Sequence, residues 1–432
     1  MSVLSRVAAP SATSELAGVV AALFGTPERA APKHLFAPPA ELDPVGADGD
    51  GARAHLLHAG PSGLGTSAAR PAARTAVLEP GPTATRPPVS RPSFGPNGIG
   101  TSAARRPAAA PAEAPDLELF CPPPVRDNVE LGEEVDGRLI EWAEEVGVYP
   151  GQLDKLRSAS FGRLVMLTHP ATDDADRLLA AGKCIVAEWA TDDHFLDDES
   201  LGADAAVIGS RLATTYPAVD PADLPLRYVP DLEDALAGEP VAVAYRSAFE
   251  HLARYASATQ LARLRHELAV MFMAYNQEAT WRTTGRVPPV WEYLVHRHEN
   301  SFLPPMVLVD PIAGYEVPAP EFADRRVRRA FCLAGTASVV LNDLYSKGKE
   351  TDSDFDLPKV IAAEEHCSAG EAIERTVEIH NELMHTYVAE ASLLSSVGSP
   401  ALRRFLADIW AWLGGNREWH STTERYHPPT TQ

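Results

Sequence analysis

Cysteine is scarce in this sequence. Cys121, Cys184, Cys332 and Cys367 are the only four in 432 residues, and no two form a C-x-x-C pair. That spacing argues against a disulfide framework and makes a reducing cytoplasm the expected compartment. Cys184 and Cys332 lie in apolar helical stretches and are expected to be buried thiols. Long apolar runs are missing too: the stretch Leu16 to Phe24 is too short to span a membrane and follows Glu15, so neither a signal peptide nor a membrane span is expected. Basic charge is in deficit, with 38 Lys and Arg against 59 Asp and Glu and a net charge of −21. Residues 1–115 hold slightly more basic than acidic side chains, so the remainder carries the whole negative balance. Such a surface disfavours nucleic acid and anionic membrane, and an anionic substrate would need a local cluster of metals or arginines. Also missing are a Gly-rich phosphate loop, a dinucleotide fingerprint, a Ser-His-Asp signal and a run of alternating strands.

What remains divides in two. Residues 1–115 are rich in Pro, Ala and Gly, hold nearly half of the 38 prolines, and lack a periodic apolar pattern. They cannot bury enough surface to offset ordering entropy and are expected to be a disordered leader. Gly60-Pro-Ser-Gly-Leu-Gly-Thr-Ser-Ala-Ala-Arg70 recurs as Gly95-Pro-Asn-Gly-Ile-Gly-Thr-Ser-Ala-Ala-Arg105. Two copies without helical pattern make a duplicated linker or a short docking motif, not a solenoid. Residues 116–432 read as an all-α domain, a helical bundle around a central cavity. Helices are predicted over 129–146, 161–167, 176–193, 205–216, 232–237, 242–256, 261–282, 289–298, 323–347, 369–394 and 400–414, with Ser368 as an N-cap.

Two stretches carry chemistry. Trp189 to Glu199 puts Asp192, Asp193, Asp197, Asp198 and Glu199 within about two helical turns, where like charges repel unless a cation sits among them. The donors are hard oxygens, suited to Mg²⁺ or Mn²⁺ rather than zinc, and the alternating pattern of an EF-hand loop is absent. His194 is not needed as a ligand and is assigned to the helix surface. The second stretch, Leu341 to Glu350, spaces Asn342, Ser346 and Glu350 at i, i+4 and i+8, one stripe of oxygen donors on a continuous helix. It ends a long apolar helix and points to a metal cluster.

An Asp-rich motif followed by Asn-Asp-x-x-Ser-x-x-Lys-Glu resembles the metal-binding signature of bacterial class I terpene cyclases. Arg297 resembles that family's diphosphate-sensing arginine, and Arg425-Tyr426 its Arg-Tyr pair that closes over the diphosphate. The similarity covers roughly Asp116 to Pro429. Within the family, the leader, Cys121-Pro-Pro-Pro-Val-Arg126 and Asp192-Asp-His-Phe-Leu-Asp197 are similar to the 2-methylisoborneol synthases. The resemblance implies a class I terpene synthase-like bundle and three Mg²⁺ ions. It implies metal ligation by Asp192, Asp193 and Asp197, with Asp198 competing, and by Asn342, Ser346 and Glu350. Arg297, Lys349, Arg425 and Tyr426 are implied as the diphosphate contacts. Asp193 and Asp197 are read as sharing a helix face, and Asp192 as the surest ligand.

The implied substrate is an allylic diphosphate, 2-methylgeranyl diphosphate, supplied by a separate S-adenosylmethionine-dependent methyltransferase; a homodimer is compatible with the family. Candidate cavity aromatics are Phe195, Trp281, Trp291, Phe302, Phe331 and Trp410, each with ordinary core packing as its alternative. A helix break at Asn300-Ser301, enforced by Pro304-Pro305, is expected to aim a backbone carbonyl into the cavity. Alternatives are a cyclase of geranyl or farnesyl diphosphate, or a non-catalytic interaction protein. A chain-elongating prenyltransferase fits less well, because its second metal motif is also Asp-rich.

Overall fold

Each long helix begins where a side chain takes up amide groups that a helix start leaves unpaired. Asn128 accepts from the Leu131 amide, Asp174 from the Asp176 and Arg177 amides, and Ser399 from the Leu402 amide. Ser257 with Gln260, and Ser368 with Glu371, form reciprocal capping boxes. Gly147 and Gly285 close two helices in the left-handed region, at φ 77° and 62°.

The computed structural model describes residues 118–346 and 355–426; the leader with its repeat lies outside them. Sixteen α-helices run in order over these residues. They are α1 (Val129–Val146), α2 (Leu153–Ala159), α3 (Phe161–Thr168), α4 (Ala175–Asp192), α5 (Ile208–Thr215), α6 (Val229–Ala237), α7 (Pro240–Leu252) and α8 (Ala258–Thr284). After them come α9 (Val290–Glu299), the single turns α10 (Leu303–Met306), α11 (Val309–Ile312) and α12 (Ala319–Phe322), then α13 (Arg325–Ser346), α14 (Leu357–Glu365), α15 (Ala369–Val397) and α16 (Pro400–Thr422). No strand occurs among the described residues. The all-α expectation holds, and no described helix is long and apolar enough to cross a membrane.

Helix α13 packs along α15 and α16, and α1 and α4 pack with α3 and α7. Between them lies an apolar core centred on Trp412, Trp419, Tyr245, Phe161 and Phe405. Helix α16 runs eight residues past the predicted end at Gly414. Both glycines are there for close packing, not to stop the helix. A Cβ on Gly414 would lie 2.5 Å from the Pro123 carbonyl oxygen, and one on Gly415 2.4 Å from that of Leu167. The extension carries Asn416 and His420 to the region where α4, α9 and α13 end.

Burial also fixes the charge state of some histidines. His380, on α15, is buried with Nδ1 3.0 Å from the Asn381 Oδ1, and burial pushes its imidazole down to about 4. Between that value and the unfolded value near 6.5, the unfolded chain binds the extra proton. This stabilising contribution is therefore complete above about pH 6.5 and lost as pH falls toward 4. His380→Gln is expected to remove one proton's worth of slope from unfolding free energy against pH, about 1.4 kcal/mol per unit between pH 6 and 5. Denaturant unfolding of both proteins at the two pH values measures it; parallel losses would refute the assignment.

Candidate active site

Asp192, Asp193, Asp197 and Asp198 lie where α4 ends, and the chain beyond Asp192 does not continue as an α-helix. Residues Asp193–Asp197 form a π turn, closed by the Asp198 amide donating to the Asp193 carbonyl at 2.8 Å. Bonds from i to i+5 replace i to i+4, so the residue one turn below Asp192 is Asp197. The expectation that Asp193 and Asp197 share a face rested on α-helical spacing, and the π turn changes it. Asp193 is buried and accepts from the Tyr149 hydroxyl at 2.7 Å, whereas Asp197 pairs with Arg282 at 2.8 Å. Asp198 binds Lys155 and Ser200 and lines the cavity as well. His194 is buried as well, edge-on to Tyr149, and so is not the surface residue expected.

Electrostatics make this corner strongly electronegative. The Asp192 carboxyl is held well above the usual carboxylate range, first by burial and then by the charges of Asp197, Glu278 and Asp193, with Arg282 opposing. Glu278 itself binds Arg282 at 2.6 Å and His296 at 3.2 Å. Three carboxylates thus share one guanidinium at the C-terminal, negative end of a helix. Hard oxygens in excess of local positive charge are what a divalent hard cation would neutralise, so the donor set fits Mg²⁺.

The facing wall comes from α13. Asn342 donates both amide hydrogens, to His420 Nε2 at 3.0 Å and to the Tyr426 hydroxyl at 2.9 Å. Its Oδ1 is thereby turned to the Arg297 guanidinium, which donates to it at 3.2 Å. Burial pushes His420 down to about 3, keeping it neutral, and its Nδ1 hydrogen-bonds the Asn416 carbonyl at 2.8 Å. Tyr426 stacks on the same imidazole, with centroids 5.2 Å apart. Asp343, fully buried, takes Arg297 on one oxygen and the Tyr293 hydroxyl and Leu357 amide on the other, at 3.2 and 3.1 Å.

Asp192, Asp193, Asp197, Arg297, Asn342, Ser346, Arg425 and Tyr426 all line one cavity of about 1050 Å³. Lys349 and Glu350 lie outside the described residues. Among the described residues no three carboxylate, imidazole or thiol side chains form a closed metal cage. Mg²⁺ does not require one, since it keeps water and takes one or two carboxylates together with substrate phosphates.

Of the six aromatics singled out from sequence, Phe302 alone is among the lining residues. Phe195 is covered by Arg211, and Phe331 packs with Phe322 and Phe405. Trp410 stacks with Tyr387, Trp281 joins a smaller cluster with Tyr293, and Trp291 is 67% exposed. The aromatic wall is instead Trp189, Tyr275, Tyr293, Phe302, Phe355 and Tyr426. The break after α9 is present: Asn300, Ser301 and Phe302 separate it from α10 and all line the cavity. Pro304 and Pro305 also open α10 at its first turn. Having no N–H, they cannot serve the carbonyls four residues back, those of Asn300 and Ser301.

Residues 183–386 match the family described as terpene synthase family 2, C-terminal metal binding. The 2-methylisoborneol synthase of Streptomyces griseus is 35% identical over 433 aligned positions, covering 98% of this chain and 91% of the relative. That of Streptomyces lasalocidi is 40% identical over 318 residues, covering 71% of this chain and 65% of the relative.

This chain belongs to terpene synthase family 2.

The fold agrees. The crystal structure of 2-methylisoborneol synthase from Streptomyces coelicolor A3(2), in complex with Mg²⁺ and 2-fluoroneryl diphosphate, superposes with a TM-score of 0.69 at 37% identity. The match covers 72% of this chain and 98% of that one. This terpene synthase is therefore a class I enzyme of a metal-binding family. Tyr149, Glu278, Arg282, Asp343 and His420, which orient the site's side chains, were not found from sequence. Asp343 had a signal, since it directly follows Asn342 in the second motif; Tyr149 sits in the loop after α1, at φ 56°, and the others in helices with no motif of their own.

Proposed function

We propose that this terpene synthase converts 2-methylgeranyl diphosphate and water to 2-methylisoborneol and diphosphate. The observation that carries the proposal is the convergence of the two oxygen-donor motifs and Arg297, Arg425 and Tyr426 on one cavity, in a chain so similar to 2-methylisoborneol synthases. Asp192, Asp193 and Asp197 on one wall and Asn342 and Ser346 on the other, together with Glu350, would hold three Mg²⁺ ions. Bound there, Mg²⁺ neutralises the diphosphate and makes it a better leaving group. Arg297, Lys349, Arg425 and Tyr426 donate charge-assisted hydrogen bonds to its oxygens.

Loss of diphosphate breaks a carbon–oxygen bond and leaves an allylic cation. Isomerisation through a linalyl-type intermediate lets the ring close to a bornyl-type cation. The walls then have to keep bulk water out. Trp189, Tyr275 and Phe302 present polarisable ring surface to the charge, and Asn300 and Ser301 line the same cavity. One water adds, forming a carbon–oxygen bond, and its surplus proton passes to the released diphosphate. The substrate has to come from a C-methylation of geranyl diphosphate, by a separate methyltransferase.

The test offers purified protein and Mg²⁺ geranyl, 2-methylgeranyl and farnesyl diphosphates separately, with products read by gas chromatography–mass spectrometry. A methylated bicyclic alcohol, made preferentially from the 2-methyl substrate, is the expected result. Turnover of farnesyl diphosphate alone would keep the class and replace the substrate. Turnover of none of the three would move the weight to a non-catalytic role.

A further inference from the structure

Water capture requires a water held in a cavity built to be dry, and one lining side chain is otherwise unexplained. Glu188 sits on α4 one turn before Asp192, on the cavity wall, and is only 4% exposed. Its Oε1 is enclosed and has no hydrogen-bond partner. A buried polar atom left unpaired is costly and rare unless a ligand or water completes it.

Glu188 is not an extra arm of the acidic corner. The charges acting on Asp192 are those of Asp197, Glu278, Asp193 and Arg282. Glu188 acts on the Tyr245 phenol and the Cys184 thiol, and on the Tyr275 phenol, which Asp192 and Asp197 also reach. Tyr275 also lines the cavity, while the Tyr245 hydroxyl accepts from Thr191 at 3.0 Å. A carboxyl and a phenol therefore line one cavity together with Trp189, Met271 and Val339.

We propose that Glu188, assisted by the Tyr275 hydroxyl, holds the water that captures the final carbocation. The inference rests on the water-capture reading above. Burial without a counter-charge pushes the Glu188 carboxyl well above the usual carboxylate range and so favours its neutral form. A neutral acid suits this role, because its carbonyl oxygen accepts one water hydrogen while it carries no negative charge to trap or deprotonate the cation prematurely. Held by its hydrogens, the water presents a lone pair to the cation. When the carbon–oxygen bond forms, one O–H bond breaks and the proton leaves to the diphosphate co-product. Glu188 ends as it began. It is a positioning residue for the nucleophile, not the base.

The experiment compares the full-length protein with Glu188→Gln and Glu188→Met, each with Mg²⁺ and the three diphosphates in turn. The readout is the ratio of alcohol to hydrocarbon products, which does not depend on how much of the protein is active. In Glu188→Met the ratio should fall by about tenfold, the ~1.4 kcal/mol of one hydrogen bond, as proton loss replaces water capture. Glu188→Gln retains a carbonyl acceptor and should keep a ratio close to wild type. An unchanged ratio in the Met variant overturns the assignment. So does an equal fall in both variants, which would mean that the ionisable acid is required. If the wild type itself releases only hydrocarbons, the water-capture reading fails and the assignment with it; alcohol from the wild type separates the two failures.

Discussion

Asp192→Asn should lower kcat/KM by about 10³-fold, roughly 4 kcal/mol of transition-state stabilisation, while the folded protein becomes no less stable. Both halves follow from the same crowding. Asp192 is half-buried among Asp197, Glu278 and Asp193, with the Arg282 guanidinium opposing them. In the absence of a cation its ionised form is a cost to folding, and the isosteric amide removes that cost. With substrate and Mg²⁺ the same charge is what the proposed site would use. The check has two parts. Melting of the apo variant should match or exceed wild type, and stabilisation by Mg²⁺ with diphosphate, present in wild type, should disappear. Turnover within tenfold of wild type would remove Asp192 from the site.

The second large effect is on stability. Asp343→Asn leaves the Arg297 guanidinium buried without its counter-charge and weakens the ties from Tyr293 and the Leu357 amide. Removing one partner of a buried pair costs about 3–5 kcal/mol. At roughly 2–4 °C per kcal/mol for a domain of this size, the midpoint should fall by about 10 °C. Arg297 would lose its orientation too, so turnover should drop by about 10–100-fold. The double variant Arg297→Met with Asp343→Leu should recover much of the melting temperature and none of the turnover. A single variant that melts with wild type would show the pair to be dispensable.

Most helices were legible because their signals are local. Capping at Ser368, apolar spacing over 129–146 and the break before Pro304 are written in adjacent residues, and the structure follows them. The errors arose where tertiary contact overrides the local rule. Gly414-Gly415 looks like a helix end until Pro123 and Leu167 press against it. Asp193 and Asp197 look aligned until Tyr149 and Arg282 draw them apart around a π turn. Cavity aromatics were the least legible: facing a cavity and facing a core produce the same helical periodicity, so Trp410 and Phe331 could not be told from Trp189 and Tyr275. The motifs named side chains that line the cavity; of the residues holding them in place, Asp343 lay in a motif, Tyr149 in a loop and the others in helices without one.

The anchoring of Asn342 has a further consequence. Its two N–H groups are committed to His420 and Tyr426, leaving Oδ1 alone to face the cavity, where Arg297 already reaches it. A second positive charge on that oxygen would be repelled by the guanidinium, so the two are antagonists in isolation. An anion lying between them reverses the sign, because it attracts both. By linkage, each then tightens the binding of the other. Metal and diphosphate would thus behave as obligate co-ligands, each weak alone, and ionisation would wait until both have arrived.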